Sequence, residues 1–215
     1  MMLTDRQRSK LDTSNDLLFY DTPRLVTHVD RQFIHTLTEL YRDRLQPQTR
    51  ILDLMSSWVS HLPPEITFSE VVGHGMNAEE LAQNPRLHRY HVQNLNQDQV
   101  LPYGDRYFDA VLNTVSVQYL QFPERVFAEI HRILKPGGIV IISFSNRMFY
   151  QKAIQAWRDG SDHDRLHLVA HYLGSVTDGF TKPEAIVQAP AWGLNFWGGS
   201  SDPFYAVIAH RQPHS

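Results

Sequence analysis

The 215-residue chain has no cysteine, so disulfides and thiolate metal sites are excluded and a reducing compartment is compatible with it. No apolar run approaches the roughly 20 residues of a membrane span. The first residues, MMLTDRQRSKLDTSNDLLFY, mix both charge signs and lack the apolar core of a secretory signal. A formal charge of −3 gives no basic surface for nucleic acid or anionic lipid. The expectation is a cytoplasmic protein with no nucleic-acid or membrane partner. Glycine is also scarce where it would matter most: G-x-G-x-x-G follows no strand candidate, which weighs against a nicotinamide-dependent reductase.

What is present is enough to build one core, with 42% apolar and 11% aromatic residues. Residues 1–16 carry few apolar side chains and are expected to be flexible, with packing material beginning at Leu17 and one domain over 17–215. Between Leu25 and Leu45 apolar residues recur at three- and four-residue steps, the period of an amphipathic helix, within a cover segment over 17–48.

Short apolar runs then alternate with helical patterns. ILDLM (51–55), EVVGHGM (70–76), RYHVQN (89–94) and FDAVLNTV (108–115) read as strands, and Asn77 is placed to cap a helix. PERVFAEIHRILKPGG (123–138) reads as a helix entered by proline and stopped by Lys135-Pro136-Gly137-Gly138. GIVIISF (138–144) is continuous enough for a central strand covered on both faces. Helical segments near 148–158 and 163–173, and strands at 185–189 and 204–209, complete the chain. The alternation predicts an α/β, doubly wound sheet with helices on both faces.

The stretch organising the rest is Arg50-Ile51-Leu52-Asp53-Leu54-Met55-Ser56-Ser57-Trp58, which puts a carboxylate at the carboxyl edge of a buried strand, where open α/β sheets bind ligands. Residues 101–149, LPYGDRYFDAVLNTVSVQYLQFPERVFAEIHRILKPGGIVIISFSNRMF, resemble the class I S-adenosylmethionine-dependent methyltransferases, in the small-molecule type 11 branch with LP, FD-x-V and LKPGG. The resemblance implies a Rossmann-like seven-stranded sheet, mostly parallel with an antiparallel last strand. It also implies S-adenosylmethionine as cofactor and a small-molecule methyl acceptor as partner.

Carried over residue by residue, the family's D-x-G-x-G-x-G loop becomes Asp53 with Met55, Ser57 and Val59 at the glycine places, so the glycines are missing and the Ser56 and Ser57 hydroxyls are candidate donors. Gly75 stands where the family has a ribose-binding acid, flanked by Met76 and Asn77, with Glu79 another substitute. Asn94, Leu95 and Asn96 fall at the adenine-reading segment, and Asn113, Thr114, Val115 and Ser116 beside the methionine portion. Tyr119 and Arg24 are candidates for the acceptor. Tyr20, His28, Asn146 and Arg147 are candidates for catalysis, with Tyr20 or His28 taking a proton if the acceptor is a hydroxyl.

Two further patterns receive bland readings. His163, His167 and His171 share a helix face but lack further ligands, so no metal is expected. Trp192, Phe196 and Trp197 are read as sealing a sheet edge. The rival to catalysis is a methyltransferase-fold protein that serves as a binding or regulatory module.

Overall fold

The computed structural model describes residues 3–188 and 201–213. Strands β1 (Arg50–Leu54), β2 (Glu70–Gly75), β3 (Arg89–Val92), β4 (Phe108–Thr114), β5 (Leu134–Phe144), β6 (Glu184–Gln188) and β7 (Phe204–His210) form one sheet in the order β3-β2-β1-β4-β5-β7-β6. β1 to β5 pair in parallel, and β7 is antiparallel to both its neighbours. This is the doubly wound, Rossmann-like sheet expected from the sequence. Strand order reverses between β1 and β4, which opens a crevice at their carboxyl ends.

One face packs α3 (Arg31–Arg44) through Phe33, Leu37 and Tyr41 against Ile51, Val71, Leu112 and Ile141. The other packs α5 (Pro123–Ile133), α6 (Gln155–Arg158) and α7 (Asp162–Gly174) through Phe127, Trp157 and Tyr172 against Leu52, Val111, Val140 and Ile142. The opposite orientation of successive strand side chains divides Ile51 from Leu52 between these two cores.

Several boundaries differ from those expected. The LKPGG segment does not prolong α5: the helix ends at Ile133, and β5 begins at Leu134 with a register shift between Phe108 and Ala110. Gly137 takes φ +78 there, a conformation that glycine adopts without penalty. Asp109 of the FD pair joins three strands, accepting from the Arg50 amide at 2.9 Å and from Lys135 Nζ at 2.7 Å.

The helix expected from Leu25 begins only at Arg31, where Asp30 caps it by accepting from the Phe33 amide. Residues 21–30 instead pass over the crevice, and Leu25 and Val26 are exposed. Of the segment near 148–158 only Gln155–Arg158 is helical.

Residues 3–16 of the amino-terminal segment expected to be flexible make contacts with the rest of the domain. α1 (Asp5–Arg8) is tied down by Arg8, which pairs with Glu124 at 2.8 Å. Buried Lys10 lies 2.7 Å from Asp16, and fully buried Lys152 lies 3.0 Å from Asp12 and 3.3 Å from Asp16. α2 (Asp16–Phe19) consequently buries its aspartate and leaves Leu17 and Leu18 exposed.

Candidate functional site

The crevice holds a cavity whose walls come from the loop after β1, the ends of β2 and β4, the loop after β3, and the amino-terminal segment as a roof. Of the residues singled out in the sequence, it gathers Tyr20, Arg24, His28, Asp53, Met55, Ser56, Ser57, Gly75, Met76, Asn77, Asn94, Leu95, Asn96, Thr114, Val115, Ser116 and Tyr119. Asn113, Asn146 and Arg147 are not among its walls. Asn113 is buried and donates to the Leu54 carbonyl at 3.1 Å. Asn146 is exposed, and Arg147 turns outward to Asp202 at 2.8 Å. Trp192, Phe196 and Trp197 lie outside the described residues.

The loop after β1 is held by side chains where glycines would otherwise let it turn freely. Met55 takes φ 57, the left-handed region in which a residue other than glycine is strained by roughly 1–2 kcal/mol. Ser56 Oγ donates to Asp53 at 2.6 Å, and Ser57 Oγ donates to Glu80 at 2.6 Å. Asn84 Nδ2 donates to the Ser57 carbonyl and to Ser60 Oγ. The donors and acceptors on α4 (Ala78–Gln83) and just beyond it thus clamp the loop onto that helix.

That path explains Gly75. A Cβ there would stand 2.5 Å from the Ser56 carbonyl oxygen, so the strand end admits no side chain, acidic or otherwise. Glu79 is exposed, whereas Glu80 is buried and also accepts from the Arg24 amide at 2.7 Å. Asn77 uses its side-chain oxygen to cap α4 and donates from Nδ2 to the Tyr20 and Asp21 carbonyls. Asn77 and Glu80 therefore fasten the roof to the sheet.

Burial sets the charge states. It pushes the Asp53 carboxyl up to about 6, against the opposing hydrogen bonds of Ser56 and Ser60. Partial burial pulls the exposed His28 imidazole below its usual 6.5. Burial holds the Tyr20 phenol well above 10 and pushes Tyr119 up to about 12. Phe19, Tyr20, His28, Tyr119 and Phe149 form an aromatic cluster around Arg24, whose guanidinium sits 4.5 Å from the Phe19 ring centre.

The methyltransferase domain family matches residues 59–142. Over those residues the chain is similar to the methyltransferase domain family. The match begins at Val59, so Asp53 and the first two glycine places, Met55 and Ser57, lie outside it. Malonyl-[acyl-carrier protein] O-methyltransferase of Marinomonas sp. (strain MWYL1) is 26% identical over 48% of this chain. The chain spans 45% of that relative's length. Among solved structures, an S-adenosylmethionine-dependent methyltransferase from Mesorhizobium loti is 17% identical with a TM-score of 0.54, covering 80% of this chain and 96% of that one. The [4+2]-cyclase SpnF is 18% identical with a TM-score of 0.55, covering 83% and 81%. These two likenesses establish the fold.

The cofactor of class I methyltransferases is S-adenosylmethionine, and this domain has the polar groups to receive it. Asp53, the Ser57 hydroxyl and Thr114 line the cavity beside Ser116, whose buried Oγ has no hydrogen-bond partner. Asn94 is buried, and its side-chain oxygen accepts from the Asn96 amide. Asn96 is already committed on both sides, to Asp16 and the Tyr119 carbonyl as donor and to the Gln121 amide as acceptor. Val115, a β-branched residue at φ 44, marks a second strained point in the wall.

Glu80 and His74 were missed in the sequence. Glu80 resembles an ordinary surface residue of a short helix, although Asn77-x-x-Glu80 has capping-box spacing. His74 had a visible signal, a lone polar residue inside the apolar run VVGHG. Among the described residues no group of three or more His, Asp or Glu is arranged to hold a metal ion.

Proposed function

We propose that the protein is an S-adenosylmethionine-dependent methyltransferase acting on a small-molecule acceptor. The observation that carries the reading is one cavity that joins the β1 loop and the ends of β2 and β4 to Tyr20, Arg24, His28 and Tyr119. Bound there, S-adenosylmethionine would supply an electrophilic methyl group, so the chain's task is chiefly to position a nucleophile and exclude water.

Asp53, Ser57, Thr114 and Ser116 are assigned to the cofactor, and the roof residues to the acceptor. His28 is the proton acceptor for a hydroxyl substrate, because its lowered basicity keeps it neutral near pH 7 while Tyr20 stays a phenol. The curated relative is named for O-methylation, which favours an oxygen acceptor here.

Calorimetry with S-adenosylmethionine and S-adenosylhomocysteine tests the reading. Micromolar binding followed by methylation of a compound in an acceptor screen is expected. Absence of binding at millimolar ligand by folded protein refutes it. Binding without turnover across such a screen favours the rival, a non-catalytic binding module built on the same fold.

A further inference from the structure

His74 stands next to Gly75 near the end of β2, in register with Leu54 of β1 and His91 of β3. It is 1% exposed, lines the cavity, and neither ring nitrogen completes a hydrogen bond. Its polar neighbour Gln93 donates from Nε2 to the Asp98 and Val100 carbonyls, and Gln93 Oε1 is likewise buried without a partner. Buried polar groups of native proteins are nearly always hydrogen-bonded, so an imidazole orphaned at both nitrogens on a cavity wall calls for a ligand.

The chemistry of that ligand follows from place and protonation. In open α/β sheets the end of the second strand faces the ribose of a bound nucleoside, and a carboxylate there normally accepts from its hydroxyls. Gly75 cannot carry one, because the Ser56 carbonyl occupies the space of its Cβ. Burial lowers the His74 imidazole to about 4, with His91 adding to the effect and its own backbone and the Gln93 side chain, close by but short of a formed hydrogen bond, opposing it, so it is neutral at physiological pH. A neutral imidazole offers one N–H donor and one acceptor, matching a hydroxyl pair that both gives and takes a hydrogen bond.

We infer that His74 reads the ribose of the cofactor, in place of the strand-end acid that the β1 loop excludes. The inference rests on the methyltransferase reading above and concerns a residue that the family resemblance does not assign. His74 is a cofactor-binding residue and takes no part in the methyl transfer itself.

The test compares the wild-type chain with His74→Leu and His74→Asn by calorimetry and thermal melting. The probes are S-adenosylhomocysteine, 5′-methylthioadenosine and its 2′-deoxy and 3′-deoxy analogues. Expected are about a tenfold loss of S-adenosylhomocysteine affinity in His74→Leu, the size of one net hydrogen bond, and a smaller loss in His74→Asn. The wild type should prefer the ribose over at least one deoxy analogue by a similar factor, and that preference should collapse in His74→Leu.

The melting temperature of ligand-free His74→Leu should hold or rise, since the substitution removes an unpartnered buried polar group. Equal affinity of wild type and His74→Leu, or a ribose preference that survives the substitution, overturns the inference. A fall in melting temperature with binding unchanged assigns His74 to Gln93 as a structural pair, and so also overturns it. Failure of the wild type to bind any probe refutes the methyltransferase reading itself, an outcome distinct from these.

Discussion

The carbonyl oxygen of Ser56 lies 2.5 Å from the place where a side chain on Gly75 would begin. Two departures from the family pattern, a first loop without glycines and a second strand without its acid, are therefore one structural event. The loop is drawn down by Asp53, Glu80 and Asn84, and β2 yields its side chain to make room.

Restoring the family's acid should accordingly fail. Gly75→Asp forces an overlap with backbone, which flexible side chains cannot relieve, and is expected to destabilise by about 2 kcal/mol or more. Urea unfolding and S-adenosylhomocysteine titration of the variant check this. An unchanged midpoint with improved affinity would show that the loop can move aside.

Asp53 is expected to trade stability for binding. Its folded carboxyl is raised from 3.8 to about 6, so between those values the folded state holds the proton and the unfolded state does not. Stability from this group therefore falls as pH rises from about 4 to 6, and the penalty is complete above 6. Asp53→Asn should raise stability at pH 7 by up to about 3 kcal/mol and flatten that part of the pH profile. Its cofactor affinity should drop. Melting curves from pH 4 to 8, paired with titrations, test both halves.

Lys152 helps to hold the amino-terminal segment in place, beside the Arg8–Glu124 pair. Replacing it with methionine leaves Asp12 and Asp16 without a cation at 3.0 and 3.3 Å, although Asp16 keeps Lys10. A loss of about 3 kcal/mol is expected, with faster hydrogen exchange over residues 3–20. Protection there equal to the wild type would mean that Arg8 and Lys10 suffice to secure the segment.

His28→Ala should slow methylation of a hydroxyl acceptor by about a hundredfold while leaving S-adenosylhomocysteine affinity nearly unchanged. In the wild type the rate should rise with pH through a value below 6.5 and then level, because the imidazole must be neutral to take the proton. The pH–rate profile of the variant should lose that step. A profile identical in shape would assign proton removal to solvent.

The sheet was legible in the sequence because its strands are local apolar runs bounded by proline, glycine and cap residues. Asn77 was readable as a cap for the same reason, since a side-chain oxygen satisfying amides two or three residues on is a local interaction. That Arg147 lies off the cavity wall has a nonlocal reason: it pairs with Asp202, 55 residues away. The ordering of residues 3–16 was equally hidden. Lys10 and Asp16 look solvated in sequence, and only the arrival of Lys152 makes their burial affordable.

The sequence by itself determined the α/β alternation, the placing of Asp53 at a strand edge, and the resemblance carried by residues 101–149. Each depends on spacing along the chain. The tertiary structure alone decided that Ser56 takes the place of an acid at Gly75, that Glu80 binds loop to roof, and that His74 is left without a partner at the cavity wall. Those are contacts between separate segments, set by backbone approach and burial, and the order of residues along one segment does not encode them.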